Sequence, residues 1–217
     1  MIDEYINEKH GGPRFMLEKL KLSLAALSAA IMLGLAAGTA YAQALNTIPS
    51  VGTGPYEVIM FSDYLCSPCN QLDTKAEPLL KELLATGKVK IIFADVPFHK
   101  ETPLYVRLFL YAVNAGPSDE EMFRIRRVLF NAAQEKRIDD REALLAYVKE
   151  QKIVWRSFEV KPIFNRLSQM IKQHKVDESP SCVIRYSIAE EKKYVGTEEI
   201  WDGLQKLKAR LAAEKKK

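Results

Sequence analysis

Phe61-Ser-Asp-Tyr-Leu-Cys-Ser-Pro-Cys69 is the stretch whose reading settles what kind of fold this chain adopts. It continues from Tyr56-Glu-Val-Ile-Met-Phe61, a short apolar run that suits a buried strand. Behind it, Leu72, Ala76, Leu79, Leu80, Leu83 and Leu84 recur at helical spacing from Asn70 to Thr86, and Gly87 can close that helix. Pro78 is expected to kink the helix or to begin a second segment of it. Cys66 thereby falls at a helix N-terminus, where unpaired N–H groups and the dipole favour thiolate over thiol. A free cysteine titrates near 8.5, and such motifs lower this to about 3.5 to 7.5. Cys66 is then the attacking sulfur, and Cys69, one turn inward, is placed to resolve a mixed disulfide. Two other readings of the pair stay open. A zinc site would need two further ligands from Cys182 and single histidines. An inert disulfide closing so short a loop would constrain little of the unfolded chain.

Outward from this motif, Val89 to Ala94 is a second apolar run, so strand, helix and strand form a βαβ unit with parallel strands. Phe98 to Lys175 then changes character. Leu104 to Asn114, Glu120 to Ala133, Arg141 to Gln151 and Arg156 to His174 each show helical spacing, enough for a small lid domain. Strand patterns return at Cys182 to Tyr186 and Lys192 to Val195, and Thr197 is the expected N-cap of a last helix with Ile200, Trp201, Leu204, Leu207 and Leu211 on its buried face.

Composition narrows the function. The 217 residues carry 32 Lys+Arg against 28 Asp+Glu, with 47% hydrophobic and 28% charged residues, which excludes a disordered chain and a multi-span membrane protein. A net charge of +4 without a focused basic patch indicates no nucleic-acid partner. Between Lys21 and Glu57 no residue is charged, and Leu22 to Leu35 is almost all Leu, Ala, Ile, Met and Ser, ahead of Ala40-Tyr41-Ala42. This pattern reads as a secretory signal cleaved after Ala42, with Met16 a natural start and the residues before it an upstream extension. An uncleaved anchor is the other reading. Either way the rest of the chain faces a compartment where disulfides persist, the periplasm. The expected layout is 1–42 extension and signal, 43–55 an extended linker, 56–97 the first half of the fold, 98–175 the helical insertion, 176–211 the second half and 212–217 a basic tail.

The stretch Phe61 to Cys69 resembles the strand-to-helix turn of the DsbA-like branch of the thioredoxin superfamily. Glu77-Pro-Leu-Leu-Lys-Glu-Leu-Leu, Val96-Pro-Phe-His99, Val176-Asp-Glu-Ser-Pro-Ser181 and Tyr194-Val-Gly196 continue the likeness. The resemblance implies an α/β fold, a thioredoxin fold with a helical insertion between its βαβ and ββα halves. It implies a protein dithiol-disulfide oxidoreductase that needs no cofactor or metal. Its substrates would be cysteines of exported proteins, and a membrane redox partner would recycle the site. Cys66 and Cys69 would be the catalytic pair. Pro180 would be a cis proline lying against the Cys66 sulfur, with Ser179 touching the thiolate and the two together meeting the substrate peptide. Ser67 and Pro68 would modulate the redox poise, since Pro in the second slot resembles reducing members of the family. The chain is read as a monomer, because 43–55 is too short for the separate dimerisation module of familiar isomerases.

Two positions depart from the family pattern. Met60 stands where most relatives carry a buried acid that relays protons, six residues before the first cysteine, and Asp63 is the nearest acid left. Asp63 is read first as a residue that caps or closes the turn, and second as a modulator of the thiols. Cys182 is read as a small buried hydrophobe, and His99 as a loop or helix-start residue. The functions in view are general exchange with exported proteins, dedicated reduction of cysteines destined for haem attachment or copper insertion, and a non-enzymatic holdase or metal carrier.

Overall fold

In the computed structural model, residues 47–215 are described, so the signal reading, the cleavage site after Ala42 and the start at Met16 lie outside the described residues. Tyr56–Ser62 (β2) and Val89–Asp95 (β3) pair in parallel, and the helix Ser67–Ala85 (α1) joins them. Both strands are buried along nearly their whole length, as a parallel pair covered by helices requires. Ser181–Arg185 (β4) runs antiparallel to β2, and Glu191–Val195 (β5) antiparallel to β4. Ser50–Val51 (β1) pairs antiparallel with β3, giving the order β1-β3-β2-β4-β5. The stretch read as an extended linker thus supplies an edge strand. Gly52 and Gly54 let it run against Val89 and Lys88, where a Cβ would fall within 2.4 Å of a backbone oxygen.

Between the halves lie Thr102–Val113 (α2), Asp119–Gln134 (α3), Arg141–Glu150 (α4) and Lys161–Gln173 (α5), and Thr197–Glu214 (α6) follows β5. Helix α5 begins five residues later than its spacing suggested, because Pro162 belongs at a helix start and the residues before it are extended. Thr197 is not the N-cap of α6. Gly196, at φ 80°, holds that place without a side-chain cap. Pro78 does not divide α1, which is continuous from Ser67 to Ala85. Helix α6 extends through Ala212 and Glu214, so the expected tail is partly helical. Among the described residues no helix is long and apolar enough to cross a membrane.

Candidate active site

The site is built where β2 ends and α1 begins. Cys66, at φ −84° and ψ 111°, is the N-cap of α1, and its sulfur accepts the N–H of Cys69 at 3.2 Å. Its own N–H donates to Asp63 O at 3.1 Å, which closes the turn behind it. Ser67 and Pro68 occupy the first helical positions, where a missing N–H costs no intrahelical bond, and both are exposed. Cys66 and Cys69 form a disulfide with Cα atoms 5.2 Å apart. Cys66 is 8% exposed and Cys69 1%, so the outer sulfur alone meets solvent.

The loop from Val176 to Pro180 comes to this turn from the far side of the chain. The Ser179–Pro180 peptide bond is cis, and Ser179 O lies 3.5 Å from Cys66 Sγ. Ser179 meets the sulfur through its carbonyl, a group with lone pairs and no proton to donate. It therefore opposes the thiolate that the helix N-terminus favours. Pro180 is buried and its carbonyl accepts Gly196 N at 2.9 Å, tying the loop to the start of α6. Thr197 Oγ1 lies 3.5 Å from Pro68 O. The residues predicted from the sequence are thus brought together from three separate parts of the chain.

Asp63 belongs to the turn but faces away from the sulfurs. Fully buried, its carboxylate accepts Leu65 N at 2.8 Å and Thr102 Oγ1 at 2.7 Å on one oxygen. The other oxygen accepts Phe98 N at 3.0 Å and His99 N at 3.1 Å, with His99 Nδ1 3.0 Å away. Its oxygens are engaged in pinning the start of α2 to the redox turn. Met60 is buried and faces Cys182 across β2 and β4, so apolar atoms stand beneath the cysteines. Burial pushes the Cys182 thiol well above its ordinary range, as expected of an inert core residue.

One cluster near the turn was not visible in the sequence. Arg126 from α3, 1% exposed, donates to Asp73 at 3.0 Å and Asp95 at 2.9 Å, while Tyr64 donates to Asp95 at 3.1 Å. The guanidinium lies 4.5 Å from the centroid of Phe93, with Tyr64, Phe109 and Phe130 also around it. Burial pushes both carboxyls up although Arg126 opposes it, and the two carboxylates hold Arg126 protonated against the cost of its own burial. Asp73 stands four residues after Cys69 on α1, on the same helix face. The available signal was an arginine at a core position of α3 between Ile125 and Leu129.

Sequence and structure comparisons agree with this geometry. A family model described as thioredoxin matches residues 53–201. No curated protein sequence matches at a significant level. Among solved structures, a periplasmic thioredoxin-like protein from Salmonella enterica serovar Typhimurium is 19% identical with a TM-score of 0.59, over 77% of this chain and 91% of that one. Wolbachia pipientis alpha-DsbA1 is 18% identical at 0.59, over 77% and 94%. Proteus mirabilis ScsC in a transitional conformation is 18% identical at 0.57, over 92% and 94%. These structures share the fold, including the helices between its halves. With the redox turn at the end of β2, the proline loop against its outer sulfur and a family model spanning most of the chain, this protein belongs to the thioredoxin family.

Proposed function

We propose that this protein is an exported dithiol-disulfide oxidoreductase that exchanges disulfides with cysteines of periplasmic proteins. The observation that carries the reading is the disulfide at a helix N-terminus with one sulfur exposed, one buried, and the Ser179–Pro180 backbone alongside. In the oxidising direction a substrate thiolate attacks Cys66 Sγ. The Cys66–Cys69 bond breaks and Cys69 leaves as the thiolate, which takes up a proton. A second substrate thiolate then attacks the substrate sulfur of the mixed disulfide and releases Cys66 as the thiolate, so two electrons pass from substrate to enzyme. In the reducing direction the same steps run backwards from the Cys66 thiolate. Ser179 and Pro180 would hold the substrate backbone, and Ser67, Pro68 and Asp63 would shape the turn that sets the poise.

Two features favour a mild poise. Pro68 removes an N–H that could solvate the thiolate, and Ser179 presents a carbonyl to it. The reduction potential is expected between about −120 mV, as in the strongest oxidants, and about −270 mV, as in thioredoxin. The same two features support a second reading, dedicated reduction of cysteines for haem or copper sites. Reduction of insulin by the purified protein tests exchange itself, and the measured potential separates the two readings. Absence of turnover would end both. The periplasmic assignment rests on the pattern at 22–42 and on the Salmonella neighbour, which is described as periplasmic. A membrane partner recycling the site and a monomeric state belong to the same proposal.

A further inference from the structure

The face of α2 that leads away from the redox turn ends in a cavity nothing in the exchange chemistry uses. Thr102 fixes the start of α2 to Asp63, whose carbonyl in turn accepts the Cys66 N–H. From Leu104, two residues on, to Tyr111 the helix rises about 10 Å. Along that face Leu104, Arg107 and Tyr111 meet Arg141 and Leu145 of α4 and Trp155 of the following segment around a cavity of about 130 Å³. That is close to the roughly 150 Å³ apolar cavity known to take a single aromatic ring.

Its two arginines are unlike most others. Arg124, Arg126, Arg127, Arg185 and Arg210 each pair with a carboxylate. Among the described residues Arg107 and Arg141 have neither a hydrogen bond nor an ion pair. The acid beside Arg141, Asp140, caps α4 by accepting Ala143 N at 2.8 Å, and the exposed Asp139 and Glu142 pair with neither guanidinium. An apolar hollow rimmed by two unpaired guanidinium groups is complementary to an apolar side chain next to a carboxylate.

We propose that this cavity is a second recognition site for the polypeptide undergoing exchange: it takes an apolar substrate side chain against Tyr111 and Trp155, while Arg107 and Arg141 pair with an adjacent acidic residue. The proposal rests on the thiol-exchange reading and names the substrate class. An extended chain covers about 3.3 Å per residue, so a segment several residues from the reacting cysteine spans the length of this face.

The test uses two cysteine peptides that differ only in a Leu-Asp or a Leu-Lys pair placed four to eight residues from the cysteine. The wild-type protein is expected to favour the Leu-Asp peptide in kcat/KM by about fivefold, the factor a well-placed exposed ion pair supplies. Arg107→Gln with Arg141→Gln should bring the ratio to about one. A Leu-Asp peptide lacking cysteine should change the fluorescence of Trp155, read in a Trp201→Phe background, and the Leu-Lys peptide should not. Equal rates for the two wild-type reactions, or a preference that survives the double substitution, would overturn the proposal. Failure of the wild-type protein to exchange with either peptide would instead overturn the thiol-exchange reading beneath it.

Discussion

Arg126 reaches from α3 to Asp95 at the end of β3, 2.9 Å away, where both side chains are shut off from solvent. Asp73 takes a second guanidinium nitrogen from α1, so one cation serves two carboxyls raised by burial. Removing the cation leaves buried carboxylates without a partner, which typically costs 3–5 kcal/mol. Arg126→Met is therefore expected to lose about that much stability at pH 7.5. Because the two carboxyls titrate higher in the folded state than in the unfolded one, protonation favours the fold. Their contribution is present at acid pH and lost as pH rises through the folded value. The deficit of Arg126→Met should thus shrink toward pH 5, and Asp95→Asn in the same chain should recover part of it. Urea midpoints at both pH values check this, and a pH-independent deficit would contradict it.

Asp63 anchors the turn through four donated hydrogen bonds, two of them from the backbone at Phe98 and His99. In Asp63→Asn the amide nitrogen must face donors, and the expected loss is about 2–4 kcal/mol. The pH at which the exchange rate turns should stay in place, since the carboxylate has no contact with the sulfurs. Loss of that turning point in stopped-flow measurements would restore Asp63 as a proton carrier.

Unequal exposure assigns the two cysteines. Cys66→Ser should abolish turnover, whereas Cys69→Ser should accumulate mixed disulfides with substrate, visible by mass spectrometry. Alkylation of the reduced protein at mildly acidic pH should mark Cys66 first, and equal labelling would reverse the assignment.

His174 ends α5 with its ring against Phe61, 5.8 Å between centroids. Burial lowers its pKa, with Arg185 and Lys193 acting in the same direction and Glu191, 3.6 Å away, opposing them. A lowered folded value means that its contribution is present above the ordinary pKa near 6.5 and is lost as pH falls through the folded one. His174→Phe should flatten the decline in urea midpoint between pH 7 and 5. An unchanged slope would show that other groups govern the acid limb.

Gly203 lies inside α6, where alanine normally helps by about 1 kcal/mol. Here a Cβ would fall 2.8 Å from the buried ring of Tyr194. Gly203→Ala is expected to destabilise by about 1–3 kcal/mol, as overpacking does. A raised melting temperature would mean that the ring yields.

What the sequence by itself determined was whatever depends on near neighbours along the chain. Apolar runs marked β2 and β3, helical spacing marked α1 to α4, and the Cys66 to Cys69 interval put both sulfurs on one helical turn. The Ser-Pro pair near position 180 was legible only through family likeness, since nothing in its own spacing points 113 residues back to Cys66. Edge strand β1 was missed because a two-residue strand has no periodicity and exists only through its bonds to β3. The start of α6 was misplaced because Thr197 has the right chemistry for a cap while Gly196 has the backbone geometry. Tertiary structure alone decided the polar groups: which donors saturate Asp63, that Arg126 neutralises acids from two other elements, and that Ser179 turns its carbonyl to the sulfur. Apolar burial is non-directional and follows from pattern, whereas a hydrogen bond or buried ion pair depends on where its partner lies in space.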